Sequence, residues 1–233
     1  MMVAGREAIA LARQAVLLRY DLDEIVPEDV GEGEHVVVLL HGLFASAGVL
    51  RPMRAYIERE TGMPTASFSY RPGSSVRALA ERLAALIDRL PPSVSVHLVG
   101  HSMGGLVARY YVQTMPVADR VVQTISLASP FRGTAQARWL PMGIGRDVVV
   151  GSETLRFLAE TAHASPVPHT SFVAMLDTVV TPPESAVFFH GEAIELPDLG
   201  HNALLYEPEV HRLVARRLLA ARPPQLAVSA TSW

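Results

Sequence analysis

Val94-Ser-Val-His-Leu-Val-Gly-His-Ser-Met-Gly-Gly-Leu-Val-Ala-Arg-Tyr-Tyr-Val112 is the stretch whose reading decides the fold. Its first six residues are apolar and β-branched enough for a strand, and the segment from Gly105 has helical composition. A G-x-S-x-G pattern gains chemical meaning when strand, sharp turn and helix follow one another in this way. The turn forces Ser102 into a strained conformation, and side chains two residues away on either side would collide. Gly100 and Gly104 remove that collision, and Gly105 lets the helix sit close to the strand. Ser102 Oγ is then expected at the tip of the turn, at the positive end of a helix dipole that favours developing negative charge.

Working outward, Val36-Val-Val-Leu-Leu40 is a continuous aliphatic run, the mark of a strand covered on both faces. It ends in His41-Gly-Leu-Phe-Ala-Ser46, and a helix is expected over about 48–60. Pro64–Tyr70 reads as the next strand, and Ser75 as the N-cap of a helix that buries Val76, Leu79, Leu83, Leu86 and Leu90 before Pro91-Pro92 stops it. Beyond the central helix, with Pro116 near its end, Val121–Ala128 is a further strand. Residues 131–170 are less regular, hold Trp139, Leu140, Met142 and Ile144, and contain one helix, Glu153–Glu160, behind Ser152. They form at most a small lid. Strands resume at Ser171–Leu176 and Ala186–Phe189, and a last helix after Pro208 turns Val210, Leu213, Val214 and Leu218 inward.

Near the N-terminus, Ala8, Leu11, Ala15, Leu18 and Leu22 fall at helical spacing and are expected to dock on the core; attachment to a membrane surface is the rival reading. Asp21–Glu34 is a connector, so 1–30 is helix plus connector, and the chain frays after Pro223-Pro224. Strands alternating with helices imply an α/β fold in one domain over 1–233, with a mostly parallel central sheet flanked by helices.

Composition narrows the function. A chain of 233 residues, 49% hydrophobic, can bury a full core unaided. A net charge of −3 without basic runs lacks the footprint of a nucleic-acid binder. The absence of cysteine excludes disulfides, thiolate metal sites and cysteine nucleophiles. No run reaches the roughly 18 apolar residues of a membrane span. Arg6, Glu7, Arg13 and Arg19 interrupt the segment where a signal peptide needs a clean apolar centre, so the reading leans to a cytoplasmic location.

A serine hydroxyl becomes a nucleophile when a base takes its proton, and histidine titrates near neutrality. Of nine histidines, His201 in Asp198-Leu-Gly-His-Asn202 stands between the last strand and the last helix, on a loop at the carboxyl edge that Ser102 shares. His35, His163, His169, His190 and His211 read as surface or core groups, and His97 as packed within its strand. The imidazole needs an acid on its second nitrogen. Asp177, directly after a strand, ranks first; Asp198 would have to fold back across a short turn and ranks second; Asp147 sits in the irregular region. The order Ser102, Asp177, His201 is that of the α/β-hydrolase arrangement. Oxyanion donors are expected at the main-chain N–H of Met103 and of Leu43 or Phe44, where Gly42 lets the loop bend close.

His41-Gly-Leu43, Gly100–Gly105, Ala128-Ser-Pro-Phe-Arg-Gly-Thr134, Leu176–Ser185 and Gly200-His-Asn-Ala-Leu-Leu-Tyr206 lie in an order that resembles the α/β-hydrolase superfamily, and within it small bacterial lipases and esterases. The resemblance implies carboxylic-ester hydrolysis through an acyl-enzyme, with Ser102, Asp177 and His201 as the triad and Leu43 and Met103 at the oxyanion hole. Phe44, Leu204, Leu205 and Trp139 are expected around an apolar mouth for a small-molecule or lipid ester, although Leu204 and Leu205 could equally seat the last helix. The chemistry requires neither metal nor cofactor. A transacylase, thioesterase or amidase on the same triad, or a binding module that has lost the chemistry, are the alternatives.

Overall fold

The computed structural model describes residues 2–115, 120–140 and 145–221. Pro116, Met142, Ile144 and the tail after Pro223 lie outside them. The elements run α1 (Met2–Leu17), β1 (His35–Leu40), α2 (Arg51–Thr61), β2 (Thr65–Ser67), α3 (Val76–Ile87), β3 (Ser95–His101), α4 (Met103–Thr114), β4 (Val121–Leu127), α5 (Glu153–Glu160), β5 (His169–Ala174), β6 (Glu192–Leu196) and α6 (Pro208–Ala220).

All six strands are parallel, in the order β2-β1-β3-β4-β5-β6. The side-chain period of two decides which layer each residue meets. On one face Val36, Val38, Leu40, Val96 and Leu98 pack with Leu79 and Leu83 of α3, Leu106 and Tyr111 of α4, and Leu158 of α5. On the other, Val37, Leu39, Val99, Ile125 and Phe172 meet Met53 and Ile57 of α2, and Val210, Val214 and Leu218 of α6. β1 is buried along its whole length, as its unbroken aliphatic run requires. Each fully buried side chain of this kind contributes roughly 1.5–3 kcal/mol. The expected caps form: Ser75 Oγ accepts from Ala78 N at 3.2 Å, and Ser152 Oγ from Leu155 N at 3.3 Å.

The chain leaves β1 toward β2 and returns on its other side as β3, so the loops after β1 and β3 part at a topological switch point. Parallel α/β sheets place ligands in the crevice that opens there.

Three expectations are corrected. Ala186–Phe189 is no strand; it follows Pro182-Pro183 as a short 3-10 turn and loop. Phe188 packs against Phe131 and His169 at ring centroids of 4.8 and 4.7 Å, and its N–H donates to Ser171 Oγ. The ladder position beside β5 goes to Glu192-Ala-Ile-Glu-Leu196, whose outward glutamates suit an edge. β2 is three residues long, its free edge met by an antiparallel bridge from Ile25 to Ser67. Finally, α1 docks through Glu7, Ala10, Gln14 and Leu17, not through the leucine-bearing face: Leu11, Leu18 and Leu22 are exposed.

Candidate active site

The turn between β3 and α4 has the strained geometry expected of it. Ser102 lies at φ 52°, ψ −122°, a region that costs a non-glycine residue on the order of 1–3 kcal/mol. The strain persists because both flanks are fixed. Ser102 N–H donates to Leu127 O at 2.8 Å, and a Cβ on Gly100 would stand 2.3 Å from the Gly104 carbonyl carbon. That contact is with backbone, which has nowhere to move.

Across the switch point the loop after β1 reaches the serine. A Cβ on Gly42 would lie 2.9 Å from Ser102 Cβ, so only glycine allows this approach. The loop is braced by His41, whose Nδ1 lies 2.7 Å from Gly42 O and whose Nε2 lies 3.1 Å from Tyr70 N. A carbonyl only accepts and an amide only donates, so the proton sits on Nδ1. Burial pushes the His41 imidazole down to about 4, which keeps it neutral in this role. Tyr70 stacks on the ring at 3.7 Å and its hydroxyl donates to His41 O. The main-chain N–H groups of Leu43 and Met103 take no part in the backbone hydrogen bonds of the described loops, and both residues line the cavity beside Ser102. As the first residue of α4, Met103 has no intrahelical acceptor.

His201 and Asp177 meet at the carboxyl edge. His201 Nδ1 is 2.7 Å from Asp177 Oδ2, and both side chains are almost wholly buried. The other oxygen, Oδ1, accepts from Val179 N at 2.7 Å and Val180 N at 2.8 Å, which fixes the carboxylate's orientation. The competing acids are placed elsewhere. Asp198 is exposed, and Asp147 bridges the starts of α3 and α5, accepting from Val76 N at 3.0 Å and from Thr154 Oγ1 at 2.6 Å. Among the described residues no hydrogen bond joins Ser102 Oγ to the His201 ring, though both line one cavity. Contacts of this kind are often long in a resting site and tighten in the Michaelis complex.

That cavity has a volume of about 250 Å³. Its walls beyond Leu43, Phe44 and Met103 come from the β4–β5 connection (Pro130, Ala137, Leu140, Val148) and from Val179 and Val180. Leu11 and Gln14 of α1 also face it. Leu204 and Leu205 do not: they are buried in the core with α6 and seat that helix. Trp139 is 74% exposed and stays outside. Among the described residues no cluster of three or more histidine or acidic side chains is arranged to hold a metal ion.

A family model described as palmitoyl protein thioesterase matches residues 36–174, more than half of the chain. The chain belongs to the palmitoyl protein thioesterase family. The matched span takes in Ser102 and the loop after β1; Asp177, His201 and α1 lie beyond it. No curated protein sequence matches significantly. Among solved structures, this hydrolase is similar to the lipase BlEst2 of Bacillus licheniformis in its mature form, at 14% identity and a TM-score of 0.69, over 84% of this chain and 96% of that one. It is similar to a thermophilic esterase from Thermogutta terrifontis at 20% identity and a TM-score of 0.57, over 84% and 93%. A carboxylesterase from Bacillus subtilis, CesB, aligns at 17% identity and a TM-score of 0.55, over 92% and 96%. At these identities the likeness is one of fold, and the fold is that of the α/β-hydrolases.

Two residues that hold the His201 loop escaped the sequence reading. His101 stands behind His201, ring centroids 4.7 Å apart, with Nε2 3.1 Å from His201 O. Since that oxygen only accepts, His101 carries its proton on Nε2. Burial holds the ring well below the ordinary histidine range, with His201 and His41 nearby acting in the same direction. Its place beside the serine was the available signal. The second residue, Glu7, had none: it lies 195 positions from its partner.

Proposed function

We propose that this hydrolase cleaves carboxylic esters of apolar acyl groups through an acyl-enzyme on Ser102. The observation that carries the reading is the Asp177–His201 pair at 2.7 Å, buried at the wall of the cavity that Ser102 also lines. Ser102 Oγ attacks the acyl carbon while His201 Nε2 takes its proton, and Asp177 stabilises the imidazolium. The carbonyl oxygen, now an oxyanion, accepts from the N–H groups of Leu43 and Met103. Collapse of the tetrahedral intermediate breaks the ester C–O bond, and His201 returns the proton to the departing alcohol. Water then attacks the acyl-enzyme with His201 as base, which releases the acid and restores Ser102.

The apolar walls and a volume of about 250 Å³, near the lower limit for small-molecule sites, suit short to medium acyl chains. A longer chain would emerge past Phe44, which is half-exposed at the mouth. A second reading, thioester hydrolysis, is favoured by the family match. It needs no change in the machinery, because a thiolate leaves more easily than an alkoxide.

Steady-state rates on nitrophenyl esters and acyl-coenzyme A thioesters of 2 to 16 carbons test both. The account expects nitrophenyl ester turnover with a maximum at short to medium length. Turnover confined to thioesters would select the second reading, and none on either series would refute both.

A further inference from the structure

The loop that carries His201 is anchored by a residue from the opposite end of the chain. Glu7 lies on the docked face of α1 and presents its carboxylate to the backbone just past the histidine. Oε1 accepts from Asn202 N at 2.9 Å and from Asn202 Nδ2 at 2.7 Å, and Oε2 accepts from Ala203 N at 3.1 Å. These main-chain donors open the 3-10 turn Ala203–Leu205, where the geometry leaves N–H groups without an internal acceptor. Asn202 makes no cap of its own; its side chain donates to Glu7 instead. Gly200 belongs to the same construction, since a Cβ there would stand 2.6 Å from Glu7 Oε2.

Resting on the hydrolase reading above, we propose that Glu7 is a positioning residue for His201. Three restraints act on the histidine, and each holds a different part. Asp177 fixes the ring through Nδ1, and His101 fixes the carbonyl. Glu7 fixes the backbone that follows, through three charge-assisted hydrogen bonds of the stronger class. Ring orientation alone leaves the distance from Nε2 to Ser102 unset, because a shift of the loop carries the whole ring with it. Misplacing a reacting group by about 1 Å costs on the order of 10²-fold in rate. The apolar attachment of α1 is thin: among its described side chains Ala10 is buried and Leu17 partly buried, while Ile9, Leu11 and Val16 are more than half exposed. The carboxylate therefore couples the docking of α1 to the geometry of the base.

The test compares Glu7→Ala, Glu7→Gln and, as a control, Leu83→Ala, which removes a buried α3 side chain on the face of the sheet opposite α1 and the His201 loop. Glu7→Ala should lower kcat about 10- to 100-fold with KM within about twofold, and slow fluorophosphonate labelling of Ser102 by a similar factor. Glu7→Gln keeps one accepting oxygen and should recover part of the loss. Leu83→Ala should lower Tm but leave kcat within about twofold. A wild-type kcat in Glu7→Ala, or a loss no larger than in Leu83→Ala, would overturn the proposal. Hydrogen exchange at the Asn202 and Ala203 amides reads the anchor without turnover: at least tenfold faster exchange in Glu7→Ala supports it, and unchanged exchange refutes it. A wild-type chain silent on every ester and thioester would thus sink the hydrolase reading, and exchange would still decide the anchor.

Discussion

The loop that bears Ser102 and the loop that bears His201 are built on opposite principles. The first is held chiefly by its own strand–turn–helix unit: Gly100 lets the turn close on itself, Gly104 lets α4 approach the end of β1, and Ser102 N–H reaches Leu127 O on the neighbouring strand. The second has little local structure and is held by remote groups, Asp177 on β5's exit, His101 behind it and Glu7 on α1. A turn fixed from within can afford strain, whereas a loop fixed from outside transmits any movement of its anchors to the base.

The largest effects break the chemistry at either loop. Ser102→Ala should reduce kcat on the order of 10⁶-fold while leaving Tm nearly unchanged, read by ester hydrolysis and calorimetry. Appreciable turnover in that variant would reassign the nucleophile. Asp177→Asn should cost on the order of 10⁴-fold in kcat, and Asp198→Asn less than about twofold. The opposite ranking would move the acid to Asp198.

Two glycine variants sharpen the contrast. In Gly100→Ala the new Cβ meets backbone at 2.3 Å and cannot be accommodated, so a loss exceeding about 4 kcal/mol in denaturant unfolding is expected. In Gly200→Ala the Cβ meets the far end of a flexible side chain at 2.6 Å, so stability should fall by only about 1 kcal/mol. Its kcat should fall roughly 10-fold as the carboxylate is displaced. Equal stability losses would erase the distinction between the loops.

A further effect concerns acid. Burial holds His41, His101, His169 and His211 below the ordinary histidine range, with His41 at about 4. The unfolded chain then binds more protons than the native one below about pH 6.5, so stability rises with pH through that window and is lost as pH falls toward 4. His41 alone accounts for about 2–3 kcal/mol by pH 4. Tm should decline between pH 7 and 5, and His41→Gln should flatten that decline.

The same contrast explains what could be read in advance. Apolar, β-branched runs placed β1, β3 and β4, because those strands are buried on both faces. β6 went unseen because an edge strand carries exposed glutamates, while Phe188 and Phe189 drew the strand assignment to a segment they bury by ring packing. At the site, Gly100 speaks through sterics local to its own turn, whereas Gly42 and Gly104 are required by close approaches between the end of β1 and the Ser102 turn. Glu7 and His101 act through contacts made only by the folded chain. The docked face of α1 differs from the expected one for a related reason: its half-buried positions include a carboxylate and an amide, which apolar periodicity does not register.

Mass-spectrometric mapping of the folded protein after fluorophosphonate treatment tests the central claim most directly. The account expects one stoichiometric adduct on Ser102, absent from Ser102→Ala and strongly slowed in His201→Ala. Folded protein that stays unmodified at Ser102, or labels equally fast without the His201 imidazole, would contradict it.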